Sequence, residues 1–431
     1  MKNFFLKKLL LGNNVILNII YGALYIVLYS HVWKKYCVPV WHAYYYENVA
    51  HSSAYEMAGY LVALFPVVFY RGIKNTSSWI SVILYYFGYV PIILGTLFNY
   101  SETNDYNIVG YWVVLCLFMS LYFLADRSKW KTSYKKKTVP LNRVWAFVAI
   151  SFVILLATNY SRMRLVSLDN VYDLRLQEGN WGGPLVGYIA AWAGTFTFPF
   201  VFCYGIYYHN KKCIIIGALL FVFQYSIFGL KSQLFAPLIL LGLYKFFEWQ
   251  EKWDLNLLPL FTIGISILSL WFMDNLDNPS IYLLAAVFLM RTLTISGCLF
   301  AGWYLPFFQS HPYTYFQHIN FVNAITGGNP YAGKAIGTVV SEGGMNANAV
   351  FWAMDGITAG GVVGVFVVSL LFLIFLYYIN SITTESNLRF VCILFVMPTI
   401  ALLNVSFFTF LLSEGVLLII LTMFCVKLPD D

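Results

Sequence analysis

Long apolar runs separated by short polar connections repeat along almost the whole chain. A helix rises about 1.5 Å per residue, so crossing roughly 30 Å of hydrocarbon takes about 20 apolar residues. Runs near that length occupy 14–33, 54–70, 79–98, 108–125, 144–160, 185–207, 213–229, 232–247, 257–273, 357–379, 389–404 and 406–426, which predicts twelve spans. Lys2, Lys7 and Lys8 precede the first run. It continues from Val15 to Trp33 without a small-residue cleavage site, and reads as a retained span rather than a signal peptide. No internal repeat or soluble linker is visible, so residues 1–431 read as a single transmembrane domain. The expected fold class is an all-α polytopic membrane protein with about 12 transmembrane helices.

Composition agrees. Hydrophobic residues make up 60% and charged residues 10% of the chain, whereas a soluble domain needs about 25% charged residues to cover its surface. Tyr, Phe and Trp, at 33, 38 and 13 copies, are the residues that gather where hydrocarbon meets headgroups. The net charge of +7 could suggest nucleic acid, but the basic residues sit in the gaps between apolar runs, where topology explains them. With the N-terminus cytoplasmic, 18 of the 26 Lys and Arg residues fall on the inside, seven of them between Arg127 and Arg143. Both termini are then cytoplasmic. The seven cysteines are scattered without a CxxC pair, which argues against a disulfide framework or a zinc site.

Two external regions stand out by length, 161–184 and 274–355, and long loops between short connections are usually functional. The second contains an apolar piece, Ile281 to Phe308, interrupted by Arg291. An Arg at the bilayer centre costs about 2.5–3.5 kcal/mol, so an interfacial or re-entrant helical segment is expected there. Outward cations are Lys34, Lys35, Arg162, Arg164, Arg175, Lys231, Arg291 and Lys334. Arginine suits diphosphate because its planar fork donates paired hydrogen bonds, and Lys231 sits at a tight turn at headgroup depth. The plainer reading is that such cations snorkel to lipid phosphates. Among the acids, Asp355 and Glu342 flank the stretch GGMNANAVFWAMDG and are the candidates for a base acting on a hydroxyl. His318 is a further candidate base, and Glu414 lies inside the last apolar run. No metal motif, Walker A or GxSxG element is present, and no cofactor is expected.

Four features in order resemble the bacterial O-antigen polymerase group (Wzy-type oligosaccharide repeat unit polymerases). They are Tyr172-Asp173-Leu174-Arg175 closed by Gly179, Gly182 and Gly183, then a span with Phe198-Pro199; Gly229-Leu230-Lys231-Ser232; Arg291 leading through Gly302 and Tyr304 to Phe307-Phe308; and Asn346-Ala347-Asn348-Ala349-Val350-Phe351 with Asp355-Gly356. The resemblance covers approximately Tyr172 to Gly364. It implies a GT-C-like membrane glycosyltransferase of the bacterial inner membrane, with 161–184 and 274–355 as periplasmic loops. Such an enzyme joins undecaprenyl-diphosphate-linked oligosaccharides, with the diphosphate as leaving group. Arg175, Lys231 and Arg291 would hold the diphosphate, and Asp355 or Glu342 would receive the proton, with Asn346, Asn348, His318 and Glu414 as secondary candidates. Implied partners are the lipid-linked oligosaccharide, membrane lipids, a chain-length regulator (co-polymerase) and a flippase, and no nucleic acid. Two alternatives stay open. A lipid-linked oligosaccharide flippase or other transporter would carry ionisable groups near the midplane of broken helices. An O-antigen ligase would use the same donor but transfer to lipid A core.

Overall fold

The computed structural model describes residues 14–103, 106–127, 138–166, 183–253, 256–384 and 387–429. Its described residues are 78% helical and form no closed sheet. In chain order the main helices are α1 (Val15–Tyr44), α2 (Ser53–Phe69), α3 (Thr76–Asn99), α4 (Ile108–Arg127), α5 (Asn142–Arg162), α6 (Pro184–Tyr207), α7 (Lys211–Phe228), α8 (Lys231–Trp253), α9 (Leu257–Asp274) and α10 (Pro279–Ser310). They are followed by α11 (Asn320–Thr326), α12 (Ile336–Val340), α13 (Trp352–Ser381), α14 (Leu388–Leu394), α15 (Val396–Leu402), α16 (Phe407–Leu412) and α17 (Val416–Cys425). Among the described residues nine are long and apolar enough to cross a membrane: α1, α3, α4, α5, α6, α7, α9, α10 and α13. The chain is an all-α, multi-pass membrane protein.

Several expected spans take a different form. The run at 54–70 is a 17-residue helix, and those at 389–404 and 406–426 are each divided into two short helices. The run at 232–247 lies within α8, whose last turns carry Glu248, Glu251 and Lys252. The helices gather into two compact units, one built from 1–129, 254–380 and 402–407, the other from 130–253, 381–401 and 408–431.

In the first unit, hydroxyl and backbone contacts fix the direction of each helix. The Tyr25 hydroxyl donates to the Tyr86 carbonyl and Tyr29 to that of Pro91, so α1 and α3 run parallel. Tyr86 reaches Leu258 and Thr262 on α9, while Asn256 bonds Asn18. Tyr85 and Tyr89 donate to Ala63 and Val62, and Ser81 to Tyr122, which sets α2 and α4 antiparallel to α3. The unit therefore has one end carrying Asn18, Asn75, Asp126 and Asn256, and an opposite end carrying Asn99. These tyrosines bridge helices: a ring fills apolar space while its hydroxyl finds a carbonyl, each such bond contributing about 0.6 kcal/mol in a membrane.

The segment expected to be interfacial is α10, and by length and hydropathy it qualifies as a span. Its flanks contact residues of the Asn99 end, while its middle reaches Phe87, halfway along α3. Phe288 packs at a tilt against Phe272 at the C-terminal end of α9, Thr294 bonds Tyr46, and Gly302 lies against Tyr45. Midway, α10 meets α3 backbone to backbone. Pro91 has no N–H, which releases the Phe87 carbonyl from the helix ladder, and Ser296 donates to it at 2.7 Å. Beside it, a Cβ on Gly297 would lie 2.1 Å from the Pro91 carbonyl oxygen, and one on Gly95 would lie 2.8 Å from the Gly297 backbone.

α13 departs most from the sequence reading. It consists of two helical pieces joined at Gly360 and Gly361, and Gly361 has φ 59° and ψ −132°, a region that only glycine adopts readily. The pieces fold back on each other. A Cβ on Gly364 would lie 2.1 Å from the Gly356 carbonyl oxygen, the Trp352 indole donates to Ser369 at 3.0 Å, and Phe351 stacks on Phe372 at 4.7 Å. Phe372 is about 16 Å of helix from the hinge. The hinge itself sits at the Asn99 end, against Tyr111 and Tyr313. Residues 345–350 therefore descend among the helices as irregular backbone, and 351–359 return antiparallel to 362–381. Irregular backbone at such depth is tolerated only where protein encloses it, and Ala347, Ala349 and Val350 are all buried.

The second unit packs Val148 and Leu155 of α5 against Val186, Ile189 and Val201 of α6 and Leu220 and Ile227 of α7. Val139 and Pro140 pair in parallel with Val426 and Lys427.

The close α3–α10 contact yields a test. Gly297→Ala should cost about 1–3 kcal/mol and lower the melting temperature in detergent, because the intruding methyl meets backbone rather than a movable side chain. Gly264→Ala on α9, with open space around it, should be neutral or stabilising. Equal effects of the two would contradict this packing.

Candidate active site

The hairpin hinge and the loop after α10 together build a buried polar pair. The last carbonyls of the 351–359 leg need donors, and the loop supplies them. Thr314 N–H donates to Thr358 O at 2.9 Å and Tyr315 N–H to Ala359 O at 3.1 Å. Tyr315 and Phe316 then both take left-handed backbone, with φ of 48° and 66°, unusual for two successive aromatic residues. That turn brings His318 back over the leg. Its Nε2 lies 3.2 Å from Asp355 Oδ1, and its Nδ1 lies 2.7 Å from the Thr314 hydroxyl.

Asp355 has no exposed surface. Its second oxygen accepts the Phe407 N–H at 2.5 Å, at the start of α16, so both carboxylate oxygens are occupied. His318 is nearly enclosed, its side chain 6% exposed. With Nε2–H donated to Asp355, the basic position of the ring is Nδ1. The Thr314 hydroxyl has one proton and two acceptors, His318 Nδ1 and the Thr358 carbonyl at 3.1 Å. It can therefore release Nδ1 without losing a partner. A buried carboxylate steering an imidazole in this way is the arrangement of a general base.

Glu342 is not part of this pair. It is exposed in a left-handed turn (φ 54°) and lines a cavity of about 560 Å³ at the Asn99 end. That cavity also holds Glu47, His311, Tyr45, Tyr100, Tyr106, Trp303 and Phe307. Burial raises the Tyr106 phenol above its usual range, so at neutral pH it is a neutral donor. The Asn346 and Asn348 side chains lie over Gly337, where a Cβ would be 2.5 Å and 3.0 Å from their amide oxygens. Arg291 is exposed on α10, with no hydrogen bond or ion pair among the described residues. Lys231 and Glu414 belong to the second unit. Lys231 heads α8 just after Gly229, which closes α7 in a left-handed turn (φ 56°). Glu414 lies between α16 and α17 rather than inside a continuous span. Arg175 lies outside the described residues.

The structure thus unites Asp355 with His318, sets Glu342 in a separate cavity, and adds Thr314, Glu47, Tyr45 and Trp303, none of which the sequence reading singled out. Thr314 carries no motif. The run Tyr44-Tyr45-Tyr46-Glu47, an aromatic cluster ending in an acid between two spans, was the available signal for the cavity. Among the described residues no three His, Cys, Asp or Glu side chains gather to hold a metal. No protein-family model, curated protein or solved structure matches the chain.

The pair's burial makes its removal costly. Asp355→Ala would leave the Phe407 N–H and His318 without their acceptor and should destabilise the protein by about 3–5 kcal/mol, read as a fall in melting temperature. Asp355→Asn, which still offers an oxygen to one donor, should lose much less. Indistinguishable melting of Asp355→Ala and wild type would show that the carboxylate is not enclosed in this way.

Proposed function

We propose that the chain is a bacterial surface-polysaccharide polymerase of the O-antigen type, a GT-C-like glycosyltransferase joining undecaprenyl-diphosphate-linked repeat units. The observation that carries this reading is the buried Asp355–His318–Thr314 array at the end of the first unit opposite Arg71, Lys74 and Arg127. Those cations make the Asn75 end cytoplasmic under the positive-inside rule, and the Asn99 end periplasmic. The same rule applied to the basic residues along the whole sequence keeps both termini cytoplasmic, in a bacterial inner membrane.

In this reading the base is His318, not the carboxylate. Asp355 has both oxygens occupied and no exposed surface, so it acts by orienting the ring and stabilising its charge. An acceptor hydroxyl attacks the donor anomeric carbon while the bond to undecaprenyl diphosphate breaks. The diphosphate departs with the electron pair, and the hydroxyl proton passes to His318 Nδ1. Diphosphate needs no acid to leave, and cations stabilise its developing charge. Arg291, exposed and unpaired among the described residues, suits that role, and Arg175 and Lys231 remain candidates by resemblance. A chain-length regulator and a flippase are the expected partners.

One observation favours a second reading. The folded-back α13 puts an ionisable residue on a broken helix, as transporters do, which supports a lipid-linked oligosaccharide flippase. Deleting the gene separates the possibilities. A polysaccharide ladder collapsed to core plus one repeat unit supports the polymerase, loss of all repeat units supports flippase or ligase, and an unchanged ladder rejects a glycan role. His318→Ala and Asp355→Asn, expressed at wild-type level, should each reproduce the collapsed ladder; full ladders from both would remove the pair from the mechanism. Cysteine introduced for Gly343 should react with an impermeant thiol reagent applied from the periplasm and cysteine for Lys74 should not, and the reverse pattern would invert the topology.

A further inference from the structure

The cavity around Trp303 is built at evident conformational cost. Tyr45 adopts left-handed backbone (φ 64°) although it is not glycine, and its ring is half exposed. Strain of that kind persists only where the surroundings impose it, and it concentrates at working sites. Here the constraints are specific. Asn99, nearly buried, donates from its amide to the Tyr45 carbonyl at 2.9 Å and accepts the Glu47 N–H at 3.1 Å, acting as a surrogate strand for that turn. Trp33 donates to the Glu47 carbonyl at 2.8 Å. Gly302 permits the approach from the other side, since a Cβ there would lie 2.8 Å from that of Tyr45. One residue on, Trp303 meets Tyr45 edge to face, centroids 5.1 Å apart at 85°. The arrangement holds two aromatic rings at a right angle, with the Glu47 carboxylate two residues along the chain and without a hydrogen bond or ion pair among the described residues.

We propose that this cavity binds a neutral or amino-sugar ring, its C–H face against Tyr45 or Trp303 and its hydroxyl or amide N–H groups donated to Glu47. The volume of about 560 Å³ accommodates two or three sugar rings. Aromatic faces attract the weakly positive C–H face of a pyranose, and a carboxylate accepts the vicinal hydroxyls. The second carboxylate, Glu342, makes the lining anionic, which disfavours uronic acids and phosphates by like-charge repulsion. The diphosphate of a lipid-linked substrate therefore belongs elsewhere, and the cavity takes glycan. Within the polymerase reading, on which only the identity of the glycan depends, this is a subsite for the chain being extended.

The test uses the full chain in nanodiscs and saturation-transfer NMR with chitotriose, maltotriose and trigalacturonic acid. Transfer to the ring C–H protons of at least one neutral sugar is expected, with none to the acidic one. Trp303→Ala should weaken binding about 10-fold, and the isosteric Glu47→Gln, which removes no packing, about 3-fold or more. No transfer to either neutral sugar, stronger transfer to trigalacturonic acid, or unchanged affinity in Glu47→Gln together with Trp303→Ala overturns the proposal. Binding that follows this pattern in a protein whose deletion leaves the polysaccharide ladder intact rejects the polymerase reading alone. A collapsed ladder without sugar binding rejects the subsite alone.

Discussion

A carboxylate with no access to water, set among apolar helices, governs the architecture of the first unit. An uncompensated charge there is costly by several kcal/mol, so donors have to be brought to it. One comes from the first residue of α16 and the other from a histidine in the loop after α10. Bringing that histidine into place requires two successive left-handed aromatic residues, and those are held only because the loop bonds the open end of the 351–359 leg. The leg in turn exists because two glycines let the chain reverse. Hinge, leg, loop and helix start thus all converge on Asp355.

The helical, membrane-spanning character was legible from apolar run length, since nothing else satisfies backbone groups in hydrocarbon. Asp355 and His318 were both visible as candidates, yet their pairing was not. They lie far apart in sequence, and the turn that joins them depends on Tyr315 and Phe316, residues with no turn propensity. The stretch GGMNANAVFWAMDGITAGG read as an external loop running into a span, because apolar content does not report a reversal of direction. Here the only mark of the reversal was the Gly360-Gly361 pair. Nor did composition reveal what the tyrosines do. Read as a belt at the lipid boundary, many instead reach carbonyls on neighbouring helices, as Tyr25, Tyr85, Tyr89 and Tyr122 do. Span counting failed mainly near the C-terminus, where 389–404 and 406–426 are apolar enough but broken by turns such as Ser413 to Gly415.

The same physics separates two kinds of glycine in this protein. Gly297 and Gly302 are helical, and their value is the absence of a side chain, which lets α10 touch α3 and Tyr45 directly. Gly361 is needed for its backbone angles instead. The first kind fixes a distance between elements, the second a change of direction, and the region around the hinge uses both within a few turns of helix.

The bonds from Thr314 and Tyr315 to Thr358 and Ala359 tie the loop to the leg and not to the surrounding bundle. Loop and leg are therefore one mechanical body, carrying both members of the Asp355–His318 pair. That body is anchored in turn by the Phe407 N–H on Asp355 and the Trp352 indole on Ser369, which hold it at one depth in the bundle. Both the spacing inside the pair and its depth are therefore set by bonds, the first within this body and the second from it to the helices around it.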